Sequence, residues 1–225
     1  MPDPIEPLSP QAFEETDGLA DWRVLGDGAT AFFATESLAR AARLAAAIAE
    51  MPEVEAQHPA IDIRTDGVTV RLLTLTAEYA GMTVANARLA AAISAAAREL
   101  AIRADPSAVQ GLLLVPGATD IRAVMPFWRA ALGYEPRIDS PNEDLVDPRD
   151  RGTAFWFETM EEPRGDGGGA IHVAVWVPHE QAEARVAAAL AAGGRLVRDD
   201  YAPAWWTLAD AAGNEVDIAT SRARE

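Results

Sequence analysis

The sequence has 225 residues, a formal net charge of −16 and no cysteine. Without cysteine there are no disulfides, thiolate metal sites or thiol nucleophiles, and because all 19 basic residues are arginine, Schiff-base chemistry is excluded as well. The acidic balance argues against nucleic acid as a partner, since neutralising phosphates requires a basic surface.

The distribution of apolar residues predicts a cytoplasmic protein with no membrane partner. No apolar run approaches the roughly 20 residues that span a bilayer. The first ten residues, which are acidic and rich in proline, lack the apolar core of a signal peptide. With about half of its residues hydrophobic, the chain is expected to form one or two domains with real cores.

The first half of the chain alternates short apolar runs with alanine-rich segments. The Asp27-Gly28 and Asp66-Gly67 dipeptides predict the turns of two hairpins, and Thr83 is suited to be the N-cap of a helix. The pattern predicts strands at Trp22–Leu25, Ala29–Phe33, Ile61–Thr65 and Val68–Leu75, and helices at Glu36–Glu50 and Thr83–Leu100.

The Asp105-Pro106-Ser107 segment has the composition of a joint between domains. We therefore expect one domain at residues 1–104 and a second at residues 107–220.

The second half contains an internal repeat. The runs Val109–Pro116 and Ile171–Pro178 are both apolar, end in proline and carry one polar side chain at the second place, Gln110 and His172 respectively. A helical segment follows each run, and the two helices are closed by Gly133 and Gly193. Both copies then continue in β-type segments, so each copy reads β-α-β-β-β: Arg137–Ile138, Leu145–Val146 and Thr153–Thr159, then Leu196–Arg198, Ala204–Leu208 and Glu215–Ala219.

The first domain resembles the pterin-4a-carbinolamine dehydratase family in Trp22, Phe32-Phe33, Gln57-His58-Pro59 and Gly81-Met82-Thr83. The resemblance implies an antiparallel sheet with helices on one face and an association into homodimers or larger homo-oligomers. It also implies a pterin ligand, with Gln57 in contact with it and His58 as the catalytic residue. Gln57 stands where the family has the first histidine of a His-His-Pro motif, and glutamine cannot transfer protons. His58 is therefore either a remnant of a dehydratase site or a structural residue.

The second domain resembles the vicinal-oxygen-chelate superfamily, which includes the glyoxalases, in its paired modules and in the segments Phe127–Tyr134 and Asp210–Glu215. The resemblance implies a cupped sheet with metal ligands on the first and last strand of each module. The residues at those places are Gln110, Glu158, His172 and Asp217. Such a set suits Zn²⁺, Ni²⁺, Mn²⁺ or Fe²⁺, with Glu158 and His172 as catalytic groups. A ligand cavity without a metal is the alternative, and Glu215 competes with Asp217 because it shares the same face of the strand.

Strand alternation places Trp156 with Glu158 and Trp176 with His172. These two indoles either form the walls of a ligand site, where they would stack on an aromatic or heterocyclic molecule, or fill the core of the sheet.

The sequence thus predicts an α+β protein of two domains, an enzyme of lyase type or a binding protein for a small molecule, with its centre in the glyoxalase-like domain. The alternatives are a 4a-hydroxytetrahydrobiopterin dehydratase acting through the first domain and a protein that sequesters or senses a ligand without converting it.

Overall fold

The computed structural model describes residues 5–161, 171–209 and 215–223, with the side chains of residues 127, 130, 131, 171 and 172 left out. The predicted motif Asp210–Glu215 therefore lies mostly outside the described residues. The chain divides into two compact units, and helices and strands contribute in similar measure, so the fold is α+β as predicted. No helix within the described ranges is long and apolar enough to cross a membrane.

The first unit comprises Met1–Leu75 and Tyr79–Val109, with Ser221–Glu225 joining it. The strands are β1 (Pro7–Leu8), β2 (Arg23–Leu25), β3 (Gly28–Ala34), β4 (Ala60–Ile63), β5 (Gly67–Leu72), β6 (Thr74–Leu75), β7 (Ala80–Thr83) and β8 (Arg103–Ala104). The main sheet has the order β2-β3-β5-β4, with β8 also paired to β3, and a smaller sheet has the order β1-β7-β6. The helices are α1 (Pro10–Glu14), α2 (Leu38–Ala49), α3 (Val54–Gln57) and α4 (Val84–Glu99).

The core of this unit lies between the main sheet and helices α2 and α4. Ala31 of β3 pairs with Val70 of β5, and directly paired residues share a face of a sheet. On that face the buried side chains of both strands meet Leu44 of α2 and Ile93 of α4. The predicted antiparallel sheet with helices on one face is confirmed.

Helix α4 begins where the sequence predicts it. The Oγ1 of Thr83 accepts a hydrogen bond of 3.2 Å from the backbone N–H of Asn86. In return, Asn86 Oδ1 accepts one of 3.0 Å from the backbone N–H of Thr83. This reciprocal capping satisfies two of the backbone donors that a helix start leaves unpaired.

The second unit contains the two predicted β-α-β-β-β modules. Its sheet has the order β10-β11-β12-β9-β14-β17-β16-β15, with β13 also paired to β9. The first module consists of β9 (Gly111–Ala118), α5 (Ile121–Leu132), β10 (Glu135–Pro136), β11 (Asp144–Val146), β12 (Phe155–Trp156) and β13 (Glu158–Thr159). The second consists of β14 (Ile171–Trp176), α6 (His179–Ala191), β15 (Arg195–Arg198), β16 (Trp205–Ala209) and β17 (Glu215–Ala219).

The first strands of the two modules, β9 and β14, run antiparallel at the centre of the sheet, and the last strand of each module runs parallel to its first. Helices α5 and α6 pack on the same face, which carries Phe155 and Leu114 in one module and Ile218 and Val175 in the other. The opposite face, which we call the distal face, carries Val115, Trp156, Glu158, Trp176 and Asp217 according to the strand register.

The strand β10 lies two residues before its predicted position at Arg137–Ile138. The cause is the turn that follows: the N–H of Arg137 donates to the carbonyl of Asp144 over 3.0 Å, and Ser140 N–H donates to the carbonyl of Arg137 over 3.2 Å. These hydrogen bonds make Arg137 part of the turn, and the pairing of β10 with β11 therefore ends at Pro136.

Candidate functional site

Most of the predicted site positions of the second unit lie on the distal face, and two of them, Trp156 and the backbone of His172, lie in one row across the sheet. Asp144 of β11 pairs with Trp156 of β12. One step beyond the Phe155–Leu114 pair, Trp156 lies beside Val115 of β9, and Val115 pairs with His172 of β14. Because directly paired residues share a face, the four positions form a continuous row.

Gln110 does not join this row. It precedes β9, and the alternation of the strand places it on the helix side with Leu112 and Leu114. Its Oε1 accepts a hydrogen bond of 2.9 Å from Nη1 of Arg185 on α6. The register of β9 and β14 places the backbone positions of Gln110 and His172 at opposite ends of the two strands.

The backbone of His172 lies in the row, opposite Val115, but its side chain lies outside the described part of the chain. One step back from the pair of Val173 with Val216 on β17, His172 has Glu215 as its neighbour. Glu215 is the predicted alternative to Asp217. It is the last-strand carboxylate whose position lies opposite the backbone of His172.

Asp217 lies on the distal face next to Ala174 and Thr207. Thr207, which is 2% exposed, donates a hydrogen bond of 2.6 Å from its Oγ1 to Asp217 Oδ1. The side chain of Asp217 is therefore held in place by the neighbouring strand, and its Oδ1 has one of its lone pairs engaged.

Glu158 of β13 is exposed on the distal face beside Gly117 of β9. Between Glu158 and Asp217 stand β9 and β14, so three strand spacings of about 4.8 Å each separate the two residues across the sheet. Metal ligands must approach one ion to about 2.0–2.6 Å. Among the side chains that the structure describes, which leave out that of His172, no group of three or more histidine, aspartate or glutamate residues lies close enough to hold an ion. Glu158 and Asp217 do not fit around a single metal.

The two predicted tryptophans differ in accessibility. Trp176, next to Gly111 on the distal face, is 5% exposed. Trp156 is partly exposed, and the guanidinium carbon of Arg137 lies 5.6 Å from the centre of its ring. Of the two indoles, Trp156 is the one that a ligand on the distal face can reach.

A charged cluster next to Trp156 was missed by the sequence reasoning. Arg137 Nε lies 3.0 Å from Oδ1 of Asp139, and its Nη1 lies 3.8 Å from Oδ2 of Asp144. The hydroxyl of Ser140 donates to the same Oδ2. Burial raises the pKa of the Asp144 carboxyl, and the hydrogen bond from Ser140 and the charge of Arg137 only partly oppose that effect. A predicted strand one residue longer, starting at Asp144, would have placed this residue on the face of Trp156.

In the first unit, Gln57 belongs to a neutral hydrogen-bond network. Its Oε1 accepts a hydrogen bond of 2.8 Å from Nδ2 of Asn86, whose side chain is 0% exposed. Asn86 Oδ1 also accepts a hydrogen bond of 2.9 Å from the hydroxyl of Thr74. The network therefore joins Gln57, Asn86 and Thr74 through groups that do not titrate near neutral pH.

His58 is exposed at the end of α3 and has left-handed backbone angles, with φ 44° and ψ 55°. Its backbone N–H donates to the carbonyl of Val54 over 3.0 Å. In the described part of this unit the structure gives His58 the position of a helix C-cap, and its imidazole makes no hydrogen bond to Gln57 or Asn86.

Comparisons with known proteins recognise both units. The family model "Pterin 4 alpha carbinolamine dehydratase" matches residues 6–96, and the model "Glyoxalase-like domain" matches residues 113–219. None of the curated proteins compared with the chain matches it.

Two solved structures illustrate the similarity of the chain to known proteins. One is described as an NAD-dependent benzaldehyde dehydrogenase from Legionella pneumophila, with 14% identity, a TM-score of 0.36, and coverage of 48% of this chain and 96% of that chain. The other is a glyoxalase/bleomycin resistance protein/dioxygenase superfamily member from Vibrio splendidus 12B01, with 19% identity, a TM-score of 0.32, and coverage of 49% and 97%.

The two domain matches together indicate a small-molecule enzyme or binding protein. The chain combines a pterin 4 alpha carbinolamine dehydratase domain with a glyoxalase-like domain that follows it.

Proposed function

We propose that the chain binds a small aromatic or heterocyclic molecule on the distal face of the glyoxalase-like unit. The observation that carries this proposal is the strand register, which places Trp156, Glu158, the backbone of His172 and Asp217 on one face, away from α5 and α6. Ligand sites usually combine apolar and aromatic walls with a few polar groups that converge on them.

Each residue of the proposed site has a distinct part. Trp156 offers a partly exposed indole for stacking on a flat ring, and Trp176 lies on the same face but is buried. Glu158 is an exposed carboxylate on the same face, beside Gly117. Histidine is the residue type that can take up and release a proton near neutral pH, and His172 is the histidine whose backbone lies on this face. In an enzyme of lyase type, His172 and Glu158 would carry out proton transfer to and from the substrate.

In the catalytic form of this proposal, a bound metal ion assists the reaction. His172 is one ligand of the ion, and Asp217 or Glu215 on the adjacent strand supplies the carboxylate ligand. A bound Zn²⁺, Ni²⁺, Mn²⁺ or Fe²⁺ ion would polarise an oxygen of the substrate. Glu158 and Gln110 are not in reach of that pair, as the register of β13 and the bond of Gln110 to Arg185 indicate.

Binding without conversion is the second candidate function, in which the protein sequesters or senses its ligand. Two observations favour it: Asp217 is engaged by Thr207, and the described carboxylates do not converge on an ion. Dehydration of a 4a-hydroxytetrahydrobiopterin is less favoured, because Gln57, at the place of the first histidine of the family motif, belongs to a neutral hydrogen-bond network with Asn86.

The experiment that tests the proposed site combines elemental analysis with ligand titration of protein purified without a histidine tag. We expect biopterin to quench tryptophan fluorescence, and Trp156→Leu to abolish the quenching while the fold is retained. If metal is present, His172→Ala should remove it and Gln110→Ala should not. Quenching that is equal in wild type and Trp156→Leu would contradict the proposal.

The domain limits and the assembly state belong to the same proposal. We expect limited proteolysis to cut near residues 105–107 and so to separate residues 1–104 from residues 107–220. Light scattering after size exclusion should report a homodimer or larger homo-oligomer. Fractionation of cells should place the protein in the cytoplasm.

A further inference from the structure

The distal face holds a second group of polar side chains, which we call the Arg137 cluster: Arg137, Asp139, Ser140 and Asp144. It adjoins Trp156 on two sides, since Asp144 is the cross-strand partner of Trp156 and the Arg137 guanidinium lies over the indole, 5.6 Å from its centre. The cluster is therefore part of the wall against which a ligand on Trp156 would rest.

These charges are largely removed from water. The side chains of Arg137, Asp139 and Asp144 are 12%, 18% and 14% exposed. Burying ion pairs carries a desolvation cost that their mutual attraction often fails to offset, and apolar residues of the same size commonly serve stability as well or better. A cluster of this kind, placed beside the accessible indole of a candidate site, calls for an explanation other than stability.

The protein leaves part of the hydrogen-bonding capacity of the cluster unused. Asp144 Oδ2 accepts from the Ser140 hydroxyl and faces Arg137 Nη1. Among the described residues, Asp144 Oδ1 accepts no hydrogen bond, and it is not one of the enclosed polar atoms. Over the same ranges, the Nη groups of Arg137 make no hydrogen bond within 3.5 Å. Asp144 Oδ1 and the Nη groups of Arg137 thus keep unused hydrogen-bonding capacity, whereas Asp139 Oδ1 also lacks a hydrogen-bond partner in the described ranges but is enclosed.

We propose that the Arg137 cluster recognises the lactam edge, an adjacent carbonyl and N–H, of a heteroaromatic ligand that packs against Trp156. An Nη group of Arg137 donates to the carbonyl oxygen, and Asp144 Oδ1 accepts from the neighbouring N–H. This inference rests on the proposed function and adds to it the class of ring that the site selects.

The charges of the cluster favour this class over ionic ligands. One guanidinium faces two carboxylates, so a phosphate or carboxylate would meet a site whose positive charge is already compensated. A metal cation would meet the guanidinium of Arg137. A neutral edge that carries one donor and one acceptor matches both unused groups and adds no charge.

The test uses two probes that differ in a single N–H: quinazolin-4(3H)-one, and its N3-methyl derivative, which retains the ring and carbonyl but has no donor. Calorimetric titration of the full chain should show the methylated compound binding at least about tenfold more weakly, as expected for the loss of a hydrogen bond to a charged group. Asp144→Asn should weaken quinazolinone binding by a similar factor and leave the binding of the methylated compound unchanged. Asp199→Asn, at an exposed turn of the same unit, is the control and should bind as wild type does.

The outcomes separate this inference from the proposed function. Equal binding of both probes by the wild-type chain, with loss of both in Trp156→Leu, would overturn the role of the Arg137 cluster and support the site itself. Binding of neither probe would overturn both. The comparison of the two probes on wild-type protein holds even if Asp144→Asn does not fold.

Discussion

Asn86 Nδ2 donates a hydrogen bond of 2.8 Å to Oε1 of Gln57. The direction of this bond is fixed by the backbone: the N–H of Thr83 can only donate, and it donates to Asn86 Oδ1. The amide nitrogen of Asn86 must then face Gln57, which turns its own oxygen inward and its Nε2 outward. Gln57, at the place of the first histidine of the family motif, thereby helps to support the N-terminus of α4.

From this bond we predict that Gln57→Ala lowers the free energy of unfolding by about 1–3 kcal/mol, the usual cost of leaving a buried donor unsatisfied. Gln57→Glu preserves an acceptor for Asn86 Nδ2 and should remain close to wild type. Urea unfolding of both variants measures the difference. Equal stability of the alanine and glutamate variants would show that the bond contributes nothing.

The backbone of His58 leads to a second prediction. A residue with φ 44° is strained by its Cβ, whereas glycine adopts this conformation readily. We expect His58→Gly to be more stable than His58→Ala by about 0.5–1 kcal/mol, as thermal unfolding would report. Both variants remove the imidazole. Because His58 has the position of a helix C-cap, we expect both to show the same rate of carbinolamine dehydration as wild type. A rate that falls in both variants alike would instead give His58 a part in catalysis.

The hydrogen bond from Thr207 to Asp217 is the subject of a third prediction. Thr207→Val keeps the shape of the side chain and removes the hydroxyl that donates to Asp217 Oδ1. We expect a loss of about 1–3 kcal/mol in the free energy of unfolding, because the carboxylate loses a charge-assisted bond. Thr207→Ser keeps the donor and is the matched control; it should be the more stable of the two in chemical denaturation.

Helix positions and the order of elements followed from the sequence because their determinants are local. Thr83 marks the start of α4 with its own side chain, and Gly133 ends α5 with a left-handed φ of 67°. The alternation along β12 and β13 likewise placed Trp156 and Glu158 on one face, since the period of two belongs to the strand itself.

The relative position of Gln110 and His172 on the two neighbouring strands could not be predicted from the sequence. Their shared place in two similar runs says nothing about how far one strand slides along the other, and a slip of one residue exchanges the faces of a strand. That register is set by tertiary contacts, such as those of α6, whose Arg185 binds Gln110. The Arg137 cluster was not predicted for a related reason. It depends on a turn that closes between Arg137 and Asp144, and such a turn has no periodic pattern in the sequence.

The burial of Asp144 makes stability depend on pH in a direction that can be tested. Its pKa is raised from the ordinary value of 3.8, first by desolvation and only partly countered by Ser140 and Arg137, while Asp139 and Glu143 raise it further. The folded chain therefore binds this proton more tightly than the unfolded chain does. The stabilising effect of the raised pKa is complete below pH 3.8 and is lost as the pH rises through the higher pKa of the folded state.

Asp144→Asn removes this titration and leaves the other carboxyl groups in place. We therefore expect wild type to lose stability relative to Asp144→Asn as the pH rises from below 3.8 toward 7, with a constant difference once Asp144 is ionised in both states. Melting temperatures of the two proteins at matched pH values measure that difference and cancel the contributions of the remaining groups. A difference that grows in favour of wild type with rising pH would mean that the attraction of Arg137 outweighs burial, and that Asp144 is held as a carboxylate by its ion pair.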